Sequence, residues 1–340
     1  MSHMKSRDLS FVVQGLVNRD ISPLTGAPIT QSCLASLRQH YPDAEVILST
    51  WRGVDVDGLD FDKVVFNDDP GAWNAFRPGA AVKLDNTNRQ IVSTRNGLRQ
   101  ATRKYAAKIR CDMIFQGNDW MAHYHRYPAR GKDWIIFRER VITCSMWARD
   151  PRCPYTDQPL HPPDWMHIGL KEDIQLLWDI DLQPEPESSQ WFLNRRVNLP
   201  DSADDDIRRY SPEQYLWCTL LKKFGEVHFE ERGQNSDENT RLTEITFANN
   251  LIILDLPQFP FIIHKYPPPV SPAYRYYAFI AHREWKHLYH QHSERRPMLA
   301  TLRKAFDPEV YTKAAYLSLY NPLRPVRRFF GHGTEKAVTS

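Results

Sequence analysis

The sequence predicts an α/β fold: a mostly parallel, Rossmann-type sheet flanked by helices, followed by a helical C-terminal part. Two observations predict it. Short runs that are β-branched and apolar on both sides of the pleat, such as LSFVVQGLV over residues 9–17, suit strands buried on both faces. Segments with apolar residues at helical spacing alternate with those runs, which is the pattern of a parallel sheet.

The elements follow in order. Residues 9–17 form the first strand. Pro23, Gly26 and Pro28 then break the chain, Cys33, Leu34 and Leu37 recur at helical spacing, and Pro42 stops that helix. A second strand is expected over 44–50 and a third over 61–67, the latter ending in the turn cluster Asp68-Asp69-Pro70-Gly71. Ile91, Leu98, Ala101 and Tyr105 share one face of an amphipathic helix expected over 88–105, with Arg89, Arg95, Arg99 and Arg103 around the others. A strand over 106–115 comes next. Strand-like runs at 134–137 and 140–144 extend this half, 151–163 reads as a Pro-rich loop, 171–178 as a helix and 181–206 as an acidic excursion. Residues 212–224 form a helix capped by Ser211 and ended by Gly225. A hairpin or short sheet is expected between 227 and 254, and the proline run 267–269 sets off a helical part over 272–319.

Composition bounds the function. With 41% hydrophobic and 12% aromatic residues, 340 residues can bury a sizeable core. The 44 basic and 41 acidic side chains nearly cancel to +3, which argues against nucleic acid as a partner. Cys33, Cys111, Cys144, Cys153 and Cys218 contain no CxxC pair, so neither a disulfide framework nor a zinc cluster is indicated, and a reducing cytoplasm fits. No apolar run reaches the ~18 residues of a membrane span, and no signal peptide opens the chain, so attachment to a membrane is expected to be peripheral at most. Met1 to Met4 reads as a cloning remnant whose loss changes nothing.

In an open α/β sheet, ligands lie beyond the carboxyl ends of the strands. Gln14-Gly15, Ser49-Thr50-Trp51, Asn67-Asp68-Asp69 and Arg110-Cys111-Asp112 stand there. Glycine allows close backbone approach, Trp51 can stack on a base, and the carboxylates suit ribose hydroxyls or a divalent metal; the same residues also suit plain turns. Asp112, embedded in an apolar strand, needs a cation or hydrogen-bond donors, and Arg110, two residues earlier, faces the same way. Either the two pair, or Asp112 takes a metal or sugar hydroxyl while Arg110 meets phosphate. In HPPDWMHIG, Pro162 and Pro163 stiffen a loop presenting Asp164 and Trp165 near His161 and His167; this suits sugar binding and general-base work, or equally a buried turn. Glu213 falls in the first turn of the 212–224 helix, where the helix dipole alone favours a carboxylate. His264 ends the apolar run FPFII and is either a late metal ligand or structural. The histidines of 282–292 read as a solvated helix face, and RPVRRFF over 324–330 as a solvated tail or an attachment point for an anionic membrane.

The strings SFVVQG, VILSTW, NDDPG, NRQIVSTRNGL, KIRCD, HPPDW and RYSPEQYLW, in that order over about two thirds of the chain, resemble the WavE lipopolysaccharide-synthesis family. The resemblance implies a glycosyltransferase A-like catalytic domain over 8–265 with a helical, basic-tailed extension over 266–340. It implies transfer of a sugar from a sugar nucleotide to a glycan or glycolipid acceptor of lipopolysaccharide core or capsule, at the cytoplasmic face of the inner membrane. A non-catalytic or sugar-phosphate-transferring member of a polysaccharide assembly complex is the alternative. Under this reading Gln14, Gly15, Trp51, Asp69, Asn88, Arg89, Arg110 and Asp112 hold the donor, Asp164, Glu213 and Asp112 carry the chemistry, His161 and Trp165 meet the acceptor, and Asp112 and His264 are the metal candidates. Enzymes of that fold usually carry Asp-x-Asp on this strand. Here it reads Arg110-Cys111-Asp112, which leaves Mg or Mn open, because Arg110 itself can supply the cation against a departing phosphate.

Overall fold

A computed structural model describes residues 4–80, 82–153, 158–195, 206–264 and 278–293, together with 302, 304–308, 311–313 and 315. Its centre is a seven-stranded sheet. In chain order its strands are β1 (Leu9–Gln14), β2 (Glu45–Trp51) and β3 (Lys63–Asn67), followed, after the two-stranded ribbon β4 (Trp73–Asn74) and β5 (Leu84–Asp85), by β6 (Tyr105–Arg110). A short β7 (Met113–Phe115) precedes β8 (Val141–Cys144) and β9 (His167–Leu170), and β10 (Leu251–Leu254) completes the sheet. The spatial order is β10-β8-β9-β6-β1-β2-β3. Only β9 runs against its neighbours, β6 and β8; the other adjacent pairs are parallel.

All six residues of β1 are buried, as its two-sided apolar sequence requires. Helix α1 (Ile29–His40) covers one face, where Phe11, Tyr41, Phe115, Trp120 and Phe259 interlock through tilted and edge-on ring contacts. Helix α2 (Thr87–Arg99) covers the other face so closely that a Cβ on Gly97 would run into Val12. Helices α3 (Lys171–Trp178), α4 (Pro212–Leu221), α5 (Asp237–Asn250) and α6 (His282–Ser293) complete the framework, α6 docking on α5 by burying Trp285, whose indole N–H donates to Phe247 O at 3.1 Å.

The sheet class agrees with expectation, and the differences have local causes. The strand expected over 106–115 is two: the chain leaves the main sheet after Arg110, and β7 pairs antiparallel with β11 (Phe261–Ile263) instead. Helix α2 stops at Arg99, and Tyr105 already belongs to β6. Residues 134–137 form no strand, because Asn250 Oδ1 accepts from the N–H groups of Ile136 and Phe137 at 2.8 and 3.2 Å, standing in for a partner strand. Between 227 and 254 lies α5 leading directly into β10, not a hairpin. Met4 is buried in the core, and His282, far from solvated, donates from Nδ1 to Ile253 O at 2.7 Å and stacks on Trp285. The proline run 267–269 and the basic stretch 324–330 lie outside the described residues.

Candidate active site

The strand order reverses direction at β1, with β2 on one side and β6 on the other, and in sheets of this kind ligands bind beyond the carboxyl ends of the strands at such a point. Gln14 and Arg110 are direct register partners at that edge. Gln14 is buried and its Oε1 accepts from Ser93 of α2 at 2.9 Å. Gly15 follows with φ +124°, a conformation that glycine alone takes easily, and a Cβ there would sit 3.1 Å from Cys111 Sγ. Arg110 Nε and a terminal nitrogen clamp the two oxygens of Asp112 at 2.8 and 2.6 Å. Burial alone would weaken the guanidinium's hold on its proton, but the Asp112 carboxylate, reinforced by Asp164, drives its pKa well above the ordinary value. Opposite the turn, His264 donates its backbone N–H to Asp112 O at 3.3 Å, and His264 Nε2 is buried with no hydrogen-bond partner among the described residues.

A second layer lies beneath. Because β9 runs antiparallel, its amino end meets the carboxyl ends of β6 and β8, and this brings Asp164 and Trp165 to the same edge. The preceding loop is pinned from three sides: Leu160 N–H donates to Thr243 at 2.8 Å, Gln214 of α4 donates to Pro159 O at 2.9 Å, and Arg149 N–H donates to His161 O at 3.1 Å. Leu160 and Trp147 hold φ of +56° and +70°, costly for side-chain-bearing residues. His161 Nδ1 lies 3.1 Å from the Trp147 carbonyl, which fixes the proton on Nδ1. Burial, then the charge of Arg149, pushes His161 down to about 3, so the ring is neutral. Its other nitrogen, Nε2, faces Glu213 Oε2 at 3.5 Å.

Asp164 is 5% exposed. Burial and the nearby Glu213 raise its pKa, while Lys108, Arg110 and a hydrogen bond from Gln90 of α2 oppose the rise. Its cavity, shared with Thr87, Ile91, Trp178, Pro212 and Leu216, has room for about one water. The side chains of Glu213, Asp112 and Arg110 keep 14%, 15% and 22% exposure, so they form the accessible layer and Asp164 the deep one.

Other residues that the sequence singled out stand apart from this pair of layers. Asp69 and Arg89 hold each other bidentately at 2.8 and 2.6 Å, and this pairing lowers the Asp69 carboxyl's pKa. Asn88 exchanges two hydrogen bonds with the backbone of Gln183. Trp51 ends β2 opposite Asn67 of β3, two strands from β6. Trp165 is buried among rings, 6.4 Å from both Trp147 and Phe261. Sequence reasoning passed over Lys108 and Gln90; Lys108 shares the Arg110 face by the two-residue repeat of a strand, which is the signal that would have found it.

As to a metal, Asp112 offers a single carboxylate whose two oxygens Arg110 already occupies, and among the described residues no three His, Cys, Asp or Glu side chains gather where they could hold an ion. That donor set does not fit a protein-built divalent site.

Among solved structures, the chain is similar to 4-diphosphocytidyl-2C-methyl-D-erythritol synthase from Anaerococcus prevotii, at 9% identity and TM-score 0.31 over 70% of this chain and 97% of that one. It is similar to HddC from Yersinia pseudotuberculosis complexed with GMP-PN, at 13% identity and TM-score 0.28 over 49% and 78%. It is also similar to the mannosyltransferase PcManGT from Pyrobaculum calidifontis, in complex with GDP-Man and Mn2+, at 12% identity and TM-score 0.32 over 93% and 71%. No curated protein matches the chain. The model of a family described as WavE lipopolysaccharide synthesis, in contrast, matches residues 9–314, nearly the whole chain, and the protein belongs to that family.

Proposed function

We propose that the protein is a glycosyltransferase that moves a sugar from a sugar nucleotide to a lipopolysaccharide-core or capsule acceptor. The observation that carries this reading is the two-layered charge cluster at the carboxyl edge of β1 and β6, where a sheet of this kind takes its ligands. Gly15 lets the donor approach the backbone, and Arg110 neutralises the phosphate as it departs. In the reaction, an acceptor hydroxyl oxygen bonds to the anomeric carbon, the bond from that carbon to the phosphate oxygen breaks with its electron pair leaving on phosphate, and the hydroxyl proton passes to the Asp164–Glu213 carboxyl pair. Asp112 orients the donor through Arg110. His161 faces Glu213, and this reading assigns Gln14, Asn88, Arg89, Asp69 and Trp51 to the nucleotide.

The catalytic unit in this reading spans 8–265, with 266–340 as an extension whose α6 packs on it. This reading has it act on a glycolipid from the cytoplasmic face of the inner membrane; among the described residues no helix is long and apolar enough to cross a membrane.

The test is a melting screen against sugar nucleotides with and without Mg2+ or Mn2+, followed by transfer assays with the donor found. The expected result is a shift with one nucleotide class that survives metal chelation, and a loss of turnover of 100-fold or more in Asp112→Ala. Full turnover in both Asp112→Ala and Asp164→Ala would overturn the site assignment.

A further inference from the structure

Lys108 is fully buried in the middle of the central sheet, where an ammonium group is costly unless something requires it. Its Nζ donates to the backbone carbonyl of Asp164 and lies 4.6 Å from the centroid of the Trp178 ring. Lys108 and Arg110 share a strand face, and the carboxylates of Asp164, Asp112 and Glu213 all lie within their electrostatic reach. Counting these five groups fully ionised gives two positive and three negative charges.

We propose that Lys108 is a positioning residue: anchored on the Asp164 carbonyl, its buried ammonium fixes the Asp164 loop and holds the Asp164 carboxyl in the base form that accepts the acceptor's proton. This rests on the glycosyl-transfer reading for its catalytic meaning, but the electrostatic claim stands on the cluster itself. The groups facing Asp164 and Lys108 account for the balance from every side. Gln90 of α2 donates to Asp164, Glu213 of α4 opposes it, and Arg110 and Asp112 follow on the same chain. His167 is the cross-strand partner of Lys108; it takes the Trp178 N–H at 3.3 Å and is held neutral by burial and by Lys108 itself. His161, made neutral by burial and Arg149, adds no charge. Lys108 is pushed down by burial to about 8 and supported by Asp164, so it remains a cation at neutral pH.

The experiment compares wild type with Lys108→Met, and with Lys108→Gln, which retains a donor for the Asp164 carbonyl but removes the charge. Carboxyl carbon NMR follows the Asp164 titration, assigned by its disappearance in Asp164→Asn, and needs no substrate. In both variants the Asp164 carboxyl is expected to titrate at least one unit higher, a tenfold gain in proton affinity. In the transfer assay the acid limb of the kcat/KM profile should move up by the same amount, with donor KM and the high-pH plateau within about twofold of wild type. If Asp164 titrates identically in folded wild type and Lys108→Gln, the inference is wrong. Turnover with an unmoved acid limb sinks Lys108's role and leaves the transferase reading intact. A moved titration in a protein that turns over no sugar nucleotide does the reverse.

Discussion

Two carboxylates buried at opposite edges of the same sheet, Glu45 at the amino edge and Asp164 at the carboxyl edge, differ in how their surroundings treat the charge. Glu45 is 7% exposed and Asp164 5%, so burial disfavours ionisation of both. At Glu45 that burden is more than offset: Ser10 donates at 2.5 Å, Lys63 at 2.7 Å, and the Thr102 N–H and hydroxyl at 2.9 and 3.0 Å, and the carboxyl falls to about 2. Asp164 has its burial made worse by Glu213 and rises instead. A carboxylate surrounded by donors ties β1, β2 and the α2–β6 turn together. One left short of donors beside a second carboxylate is a group whose proton moves easily, and such groups gather at sites of chemistry.

The largest expected effect tests the strained member. Asp164→Asn should lower kcat by about 10²–10⁴-fold, the usual worth of a positioned base, without lowering the melting temperature. Because the folded-state pKa of Asp164 is raised, its contribution to stability is fully present below the unfolded value near 4 and is lost as pH rises through the folded value. The amide escapes that loss, so the melting-temperature difference between variant and wild type should move in the variant's favour between pH 4 and pH 8. A variant that lost stability at pH 8 while keeping its turnover would remove Asp164 from the site.

Glu45→Gln is the converse. Its carboxyl is depressed from 4.5 to about 2, so the stability it supplies is present above the unfolded value and lost as pH falls through about 2. At pH 7 the substitution should cost roughly 3 kcal/mol in urea unfolding, from about 1.4 kcal/mol per unit, and leave kcat at 25 °C within about twofold. A Glu45→Gln protein as stable as wild type would show that the donors around it are worth no more than water.

How much of this contrast could be read from sequence follows the same division. Apolar runs such as LSFVVQ and EVILSTW announce strands because their neighbours are all hydrophobic, and α3 ends where its Ile174, Leu177 and Trp178 spacing ends. Helix α5 escaped notice because it is buried on nearly every side, with Thr243 and Thr246 giving their hydroxyls to the backbone four residues earlier, so no polar face marks its period. Strand β9 is four residues long and starts directly after the HPPDW turn, too short for an alternation to register. At the site, Arg110 and Asp112 stood out as charges in an apolar strand and Asp164 as a carboxylate in a proline-stiffened turn, while Glu213 looked like an ordinary first-turn carboxylate. Lys108 did not, because a lysine in a strand ordinarily marks a solvent-facing position and only the covering α2, α3 and β9 make it interior.

The smallest effect separates placement from charge. Ser211 caps α4 by accepting from Gln214 N–H at 3.2 Å, while Gln214 Oε1 accepts from Ser211 N–H at 3.3 Å, and Glu213 rides on that first turn. Ser211→Ala should cost about 1 kcal/mol of stability by urea unfolding. Because Gln214 also bonds Pro159 O and the turn is buried, the helix start should stay in place and kcat fall less than about threefold. Ser211→Thr should restore the stability. Ser211→Asp restores the cap as well, but adds a negative charge beside Glu213 and Asp164, and the acid limb of the rate profile should then shift upward although the helix is intact. If Ser211→Ala alone shifted that limb, the register of α4 rather than its charge would be what tunes the carboxyl pair, and the contrast between Glu45 and Asp164 would rest on packing instead of electrostatics.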